Sequence, residues 1–243
     1  MNLTYLRMEI RRLARNRRVL VFSMLMPAIL ILVFGSSSDG ELNGVGARTY
    51  LMVSMGLFGS MSAAIGSGGS IAVERGLGWN RQLRLTPLSP GRYVLSKVVL
   101  SLLMAVPPLL VAYLLGALTL DVRLPAGTWL LVGLGSWLGA LPFAALGVVI
   151  GYVARPDSVQ QVTGLLYMLL AAFGGLWMPV ELMPRLMRSI AEYTPAYWVG
   201  QVARSPLFHH GHLSMQALAV LLGWAAGLGL VALRRFQADT ARA

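Results

Sequence analysis

Six apolar runs free of charge follow one another along this chain, separated by short polar segments: 19–35, 50–73, 98–120, 127–153, 159–180 and 213–233. About 30 Å of hydrocarbon takes about 20 helical residues at about 1.5 Å each, so every run has roughly the length of a membrane-spanning helix. The first is the shortest. Arg17 and Arg18 at its edge lengthen it, because their apolar stems reach along the helix to the interface. The pattern predicts an all-α membrane protein of six transmembrane helices, organised as one domain over residues 1–243.

Composition narrows the solvent. With 56% hydrophobic and 12% charged residues and a mean hydropathy of +0.68, the chain lacks the polar residues to cover a soluble domain. A net charge of +11 would suit nucleic acid in a soluble protein. Beside membrane spans it suits anionic membrane lipids and an acidic cytosolic partner instead, and no nucleic acid is expected. The absence of cysteine excludes a disulfide framework, a Cys-ligated metal and a thiol nucleophile. A single Lys among many Arg points to a GC-rich bacterial genome.

Charge placement sets the orientation. With the N-terminus in the cytosol, only Arg48, Arg123, Arg185, Arg188 and Arg204 fall outside, and 15 of the 20 basic residues fall inside. The expectation is a multi-pass protein of the bacterial cytoplasmic membrane with both termini cytosolic. A basic start, an apolar run and small residues at Gly35, Ser36 and Ser37 also describe a secretory signal peptide, but Pro27 and the five further spans favour an uncleaved helix. Ahead of the first span, Leu3, Leu6, Ile10 and Leu13 fall on one helical face, and Arg7, Arg11, Arg15 and Arg18 on another. Such a helix, residues 1–18, lies flat in the cytosolic interface with its arginines on anionic lipid or a partner. A solvated basic tail is the simpler alternative.

Small residues recur every four positions at Gly56, Ser60, Ala64 and Gly68, and again at Gly135/Gly139, Gly147/Gly151 and Gly223/Gly227. Helices in lipid associate by close approach over such residues, and packing within the chain is the first reading. Pro107, Pro108 and Pro142 interrupt two spans and should bend them. No ionisable residue lies inside the six runs, which argues against an ion-coupled secondary transporter or proton relay. A membrane enzyme is disfavoured too, since there is no His-Glu-x-x-His helix and no Gly-x-Ser-x-Gly elbow. His209, His210 and His212 fit a solvated loop tip better than a metal site.

The most informative polar segment, 74–97, joins the second and third runs. It reads Glu74-Arg75-Gly76, then Arg81, Leu83, Arg84, Thr86-Pro87-Leu88-Ser89, and Lys97. After the fifth run come Gly174-Gly175-Leu176-Trp177-Met178-Pro179, Leu182-Met183-Pro184 and Tyr193-Thr194-Pro195-Ala196-Tyr197-Trp198. With the six-run layout and the amphipathic start, these two motifs resemble the permease subunits of type-2 ABC exporters over nearly the whole chain. The only Lys follows Val94-Leu95-Ser96 and so cannot belong to a phosphate-binding Gly-Lys-Ser/Thr loop.

The resemblance implies that this chain is a permease and no enzyme. It would bind no cofactor itself, while ATP and Mg would sit on a separate ABC ATPase. Two permeases, identical or related, would pair around a path, with two ATPase copies docked below. Glu74, Arg75, Gly76, Arg81, Leu83, Arg84, Thr86 and Pro87 would form the coupling surface, built on a short cytosolic coupling helix near Glu74 to Leu85, with Glu74 and Arg75 meeting the ATPase, and the interfacial helix would be a second lever. Residues 179–195 would form an extracellular re-entrant gate, carrying Pro179, Leu182, Pro184, Leu186, Ile190 and Pro195; a plain surface loop is the alternative. A path lined by Leu, Met, Ser and Gly suits a hydrophobic or amphipathic cargo such as a drug, antibiotic, lipid or lipid-linked molecule.

Overall fold

The computed structural model of the protein describes residues 17–42, 44–78, 90–208 and 214–242. The interfacial segment before Arg17, the coupling residues Arg81, Leu83, Arg84, Thr86 and Pro87, and the three histidines lie outside the described residues. The chain is helical almost throughout, with α1 Arg17–Phe34, α2 Ala47–Gly76, α3 Pro90–Thr119, α4 Ala126–Leu138, α5 Leu141–Val153, α6 Val159–Phe173, α7 Arg185–Ala191, α8 Pro195–Arg204 and α9 Met215–Arg242. Among the described residues, four stretches are long and apolar enough to cross a membrane: Ala47–Gly76, Gly91–Thr119, Ala126–Val153 and Met215–Gln237. Two shorter apolar helices, Val21–Ser37 and Val159–Phe173, occupy the places of the other two expected spans.

Several boundaries depart from the sequence expectation. The third helix begins at Pro90 rather than Val98, because proline suits a helix start and the polar turn that follows extends beyond the apolar run. The fourth run, expected as one bent helix, divides at Gly139–Ala140 into α4 and α5, with Pro142 in the first turn of α5 instead of inside a continuous helix. The fifth stops at Phe173, seven residues early, where Gly174 caps it and Gly175 takes a positive φ of 76°. A two-residue antiparallel hairpin pairs Glu41 with Gly46 and Leu42 with Val45 in the segment between α1 and α2. The hydropathy pattern gives no sign of it.

The small residues of the second run make α2 the hub. It is buried along most of its length and packs on α1, α3, α4, α5, α6 and α8. Helix α9 lies at the edge, with only 17% of its most apolar window buried. Its outer face, with Leu222 and Leu230, presents apolar side chains as a lipid-facing helix does. The α2–α5 contact is backbone on backbone: a Cβ on Gly68 would lie 2.6 Å from the Gly147 carbonyl carbon, and one on Gly147 would lie 2.5 Å from the Ile65 carbonyl oxygen. Most of the small-residue pattern is therefore spent inside the chain. Gly223 and Gly227 differ, since nothing lies near where their side chains would be. Gly147→Ala is expected to lower stability by about 1–3 kcal/mol through this clash, with Gly223→Ala near neutral, as measured by the midpoint of unfolding in mixed micelles.

Near the proline pair of α3, polar side chains from neighbouring helices reach the backbone. Pro107 and Pro108 leave the carbonyls of Leu103 and Met104 without their usual helical donors. The flanking carbonyls of Leu102 and Ala105 accept from Trp137 Nε1 at 2.9 Å and Ser60 Oγ at 3.0 Å. These bonds tie the middle of α3 to α4 and α2.

Candidate functional site

Helices α2 and α3 run antiparallel, and the loop between them is the segment that the sequence marks as a coupling surface. At its base the two helices are joined by a buried ion pair. Lys97 Nζ lies 2.7 Å from Glu74 Oε1, with each side chain 2% exposed. Tyr93, one turn before Lys97, donates its hydroxyl to Glu74 Oε2 at 3.0 Å. Both carboxylate oxygens are thus engaged. The Tyr93 ring also lies 5.5 Å from the Lys97 ammonium and stacks at 5.5 Å on Phe236 of α9. The drawn spans carry no charge, but the helices continue beyond them and bury this pair at their ends.

The next two residues of the motif act on other elements. Arg75 donates from Nη1 to the carbonyls of Tyr152 at 2.8 Å and Gly151 at 3.3 Å, in the last turn of α5. Carbonyls there lack helical partners and carry the negative end of the helix dipole, so a guanidinium satisfies and neutralises them together. At Gly76 a Cβ would meet Pro156 Cγ at 2.7 Å, so the absence of a side chain lets the α5–α6 turn approach. Glu74-Arg75-Gly76 is therefore a junction. The Glu holds α3, the Arg caps α5 and the Gly admits the turn beyond it, while α9 closes over Tyr93 and Tyr152 through Phe236.

On the chain itself Glu74, expected to meet the ATPase, keeps its carboxylate inside the bundle, 2% exposed. Lys97 and Tyr93 turn it inward, because an acid and an amine brought together on neighbouring helices lose less by pairing than by facing an apolar interior alone. Arg75 is likewise directed at α5, although it remains partly accessible. Of the expected coupling residues the described part contains Glu74, Arg75 and Gly76, all three at the base of the loop.

At the other end of the bundle, residues 179–195 form a 3₁₀ turn at Val180–Leu182 and the short helix α7, followed by α8 from Pro195. The side chains that pack inward are Val180, Met183 and Ala191, with Met187 and Tyr197 against them. Leu182, Leu186 and Ile190 point away, with 65%, 75% and 42% of their surface exposed on the chain itself. Pro179 and Pro184 each precede one of these turns, and Pro195 begins α8, where Thr194 accepts from the Tyr197 amide. Arg188 folds back onto the carbonyls of Val180 and Glu181, fixing the turn to α7.

Comparison with known proteins gives the family. The family model described as ABC-2 type transporter matches residues 2–208. The chain belongs to the ABC-2 type transporter family. It is also 34% identical over 197 residues, 80% of each chain, to the Bacillus subtilis (strain 168) protein named "Putative transport permease YvfS". As an ABC-2 family chain it is the permease type of subunit, a multi-pass membrane protein and the transmembrane part of an ABC transporter, and the family as a whole works with an ABC ATPase.

One residue of this ABC-2 permease has a buried position that the sequence did not reveal. Arg204 counts among the outside charges that set topology, yet its side chain is 4% exposed, bonded to Ser54 Oγ of α2 at 3.1 Å and lying 4.4 Å over the Tyr50 ring. The available signal was its position at the end of an amphipathic segment, Pro195 to Arg204, with no acid in that segment to balance it.

Proposed function

We propose that this chain is the membrane subunit of an ATP-driven exporter that moves a hydrophobic or amphipathic compound outward across the bacterial cytoplasmic membrane. Two copies, or this chain and a related permease, pair around a path, and each receives an ATPase subunit at its 79–89 loop and at the basic segment before α1. The observation that carries the reading is the Glu74-Arg75-Gly76 junction. A loop whose base is tied to α3, α5 and α9 passes a push from below to four helices at once, rather than bending locally. Rigid elements bound by desolvated charges are what a mechanical coupling needs.

The chain carries no phosphate loop, so the energy comes from the partner. The purified chain is expected to hydrolyse no ATP. Co-expressed with its cognate ATPase it should give a complex of two permeases and two ATPases by native mass spectrometry, with ATP turnover. Turnover by the lone chain at high purity would sink this reading.

A second reading, an ion-gradient-driven transporter or lipid flippase, has one observation in its favour, the buried acid Glu74. Ion-coupled carriers use such groups by freeing them in one state. Here Lys97 and Tyr93 hold both oxygens, which favours a fixed strut. Transport in proteoliposomes that persists with a protonophore and requires ATP supports the exporter. Collapse under the protonophore, with no need for ATP, supports the alternative.

A further inference from the structure

About 24 residues before Glu74 on α2, and so about 36 Å away along the helix, Tyr50 and Ser54 meet another buried charge, Arg204. Its guanidinium has five donors. Among the described residues its partners are Ser54 Oγ and the face of the Tyr50 ring, and no carboxylate lies within ion-pair distance. A buried cation left this way costs several kcal/mol unless an anion joins it. Space for one is present: a cavity of about 200 Å³ is lined by Arg204, Gln201, Tyr50, Val180, Phe208 and, at its edge, the exposed Glu181. On the other side of Tyr50 an apolar groove of about 510 Å³ runs along α1 and α2, with Leu30, Leu51, Met55, Leu176 and Trp177 among its walls and Ser54 in it.

A charged chamber and an apolar groove sharing Tyr50 match a molecule with one anionic end and one alkyl chain. We infer that Arg204 receives the carboxylate or phosphate of a single-chain anionic amphiphile whose tail lies in the groove. The inference rests on the exporter reading and names the chemistry of the cargo. A neutral hydrophobic drug would leave the guanidinium unanswered. A cation would be repelled by it. The hydroxyl of Tyr50 does not compete for the anion, because it donates to the Gly175 carbonyl at 3.2 Å and so holds the ring between the two spaces.

The test uses the full chain in phosphatidylcholine nanodiscs without ATP, so that its outcome is independent of whether ATP drives transport. Radiolabelled dodecyl phosphate is expected to bind saturably, and dodecyltrimethylammonium is not. Arg204→Gln should weaken dodecyl phosphate binding at least about thirtyfold, the least that loss of a buried charge partner costs, with Arg204→Lys in between. Should Arg204→Gln fold poorly, Gly200→Ala serves instead. Its added Cβ would sit 2.6 Å from Arg204 Nη2, the movable end of a side chain, so the charge is displaced without being removed. Affinity should fall again. Competition separates the sources of the anion: displacement by lysophosphatidylglycerol but not by phosphatidylglycerol assigns the site to a single-chain lipid, resistance to both assigns it to a soluble amphiphile, and displacement by phosphatidylglycerol overturns the single-chain occupant. Equal affinity in the wild type and both variants, equal binding of the cationic probe, or full competition by inorganic phosphate alone would overturn the inference. So would binding that appears only in Glu181→Gln, since Glu181 would then be the natural occupant.

Discussion

Glu74→Ala is expected to lower the stability of the folded chain by about 3–5 kcal/mol, the cost of leaving one member of a buried ion pair without its partner. The group left facing the gap is Lys97, 2% exposed and directed at the carboxylate that the substitution removes. Tyr93 loses its acceptor in the same step. Removing both charges, as Glu74→Gln with Lys97→Met, should recover most of the loss, because an apolar side chain in place of the amine needs no partner. Arg75→Ala falls between the wild type and Glu74→Ala: it uncovers two carbonyls at a helix end, each worth about 1–3 kcal/mol when desolvated, but water reaches that end more readily. Unfolding midpoints in mixed micelles for the four proteins check the order. If Glu74→Ala matches the wild type in stability while losing the ATPase in a pull-down, the carboxylate turns outward in the complex and the internal strut is wrong.

The same pair shows what the sequence could and could not reveal. Among the described residues the four long apolar helices fall on runs that hydropathy marked, since a charge-free run of about 20 residues has few alternatives to a membrane helix. The small-residue spacing in the second run pointed to close packing, and Gly68 against Gly147 is such a contact. The polar segment was legible as a motif, but the direction of Glu74 was not. Glu74 and Lys97 are 23 residues apart, and only the antiparallel return of α3 beside α2 brings them together. Arg204 was hidden for the same reason, 150 residues from Ser54. Long-range pairing leaves no period in a sequence. Short helices were harder still, because α7 has seven residues and the inward side chains of its segment, Val180, Met183, Met187 and Ala191, are no more apolar than Leu182, Leu186 and Ile190, which face out.

That outward face decides whether residues 179–195 enter the membrane. Single cysteines at Leu182, Leu186 and Ile190 are expected to resist a membrane-impermeant thiol reagent added outside, while cysteines at Arg185 and Arg188 react. The native chain has no cysteine, so the background is clean. The contrast is expected to be large. On the chain itself Leu182 and Leu186 are 65% and 75% exposed, more than enough for a reagent to reach. Nothing among the described residues shields them, so protection points to hydrocarbon or to a second permease, and protection by hydrocarbon makes the segment a re-entrant gate rather than a surface loop. Charged side chains at that depth must stay at water, as Arg185 and Arg188 would. Detergent separates the two sources of protection: labelling that rises on solubilisation of a still-paired complex identifies lipid, and labelling that stays low identifies the partner copy. Holding the ATPase in its ATP-bound state should change reactivity on the apolar face, because a gate that caps the path has to part when the path opens outward. Fast and equal labelling at all five positions, with and without ATP, would show an ordinary exposed loop and return the search for the gate to the long helices.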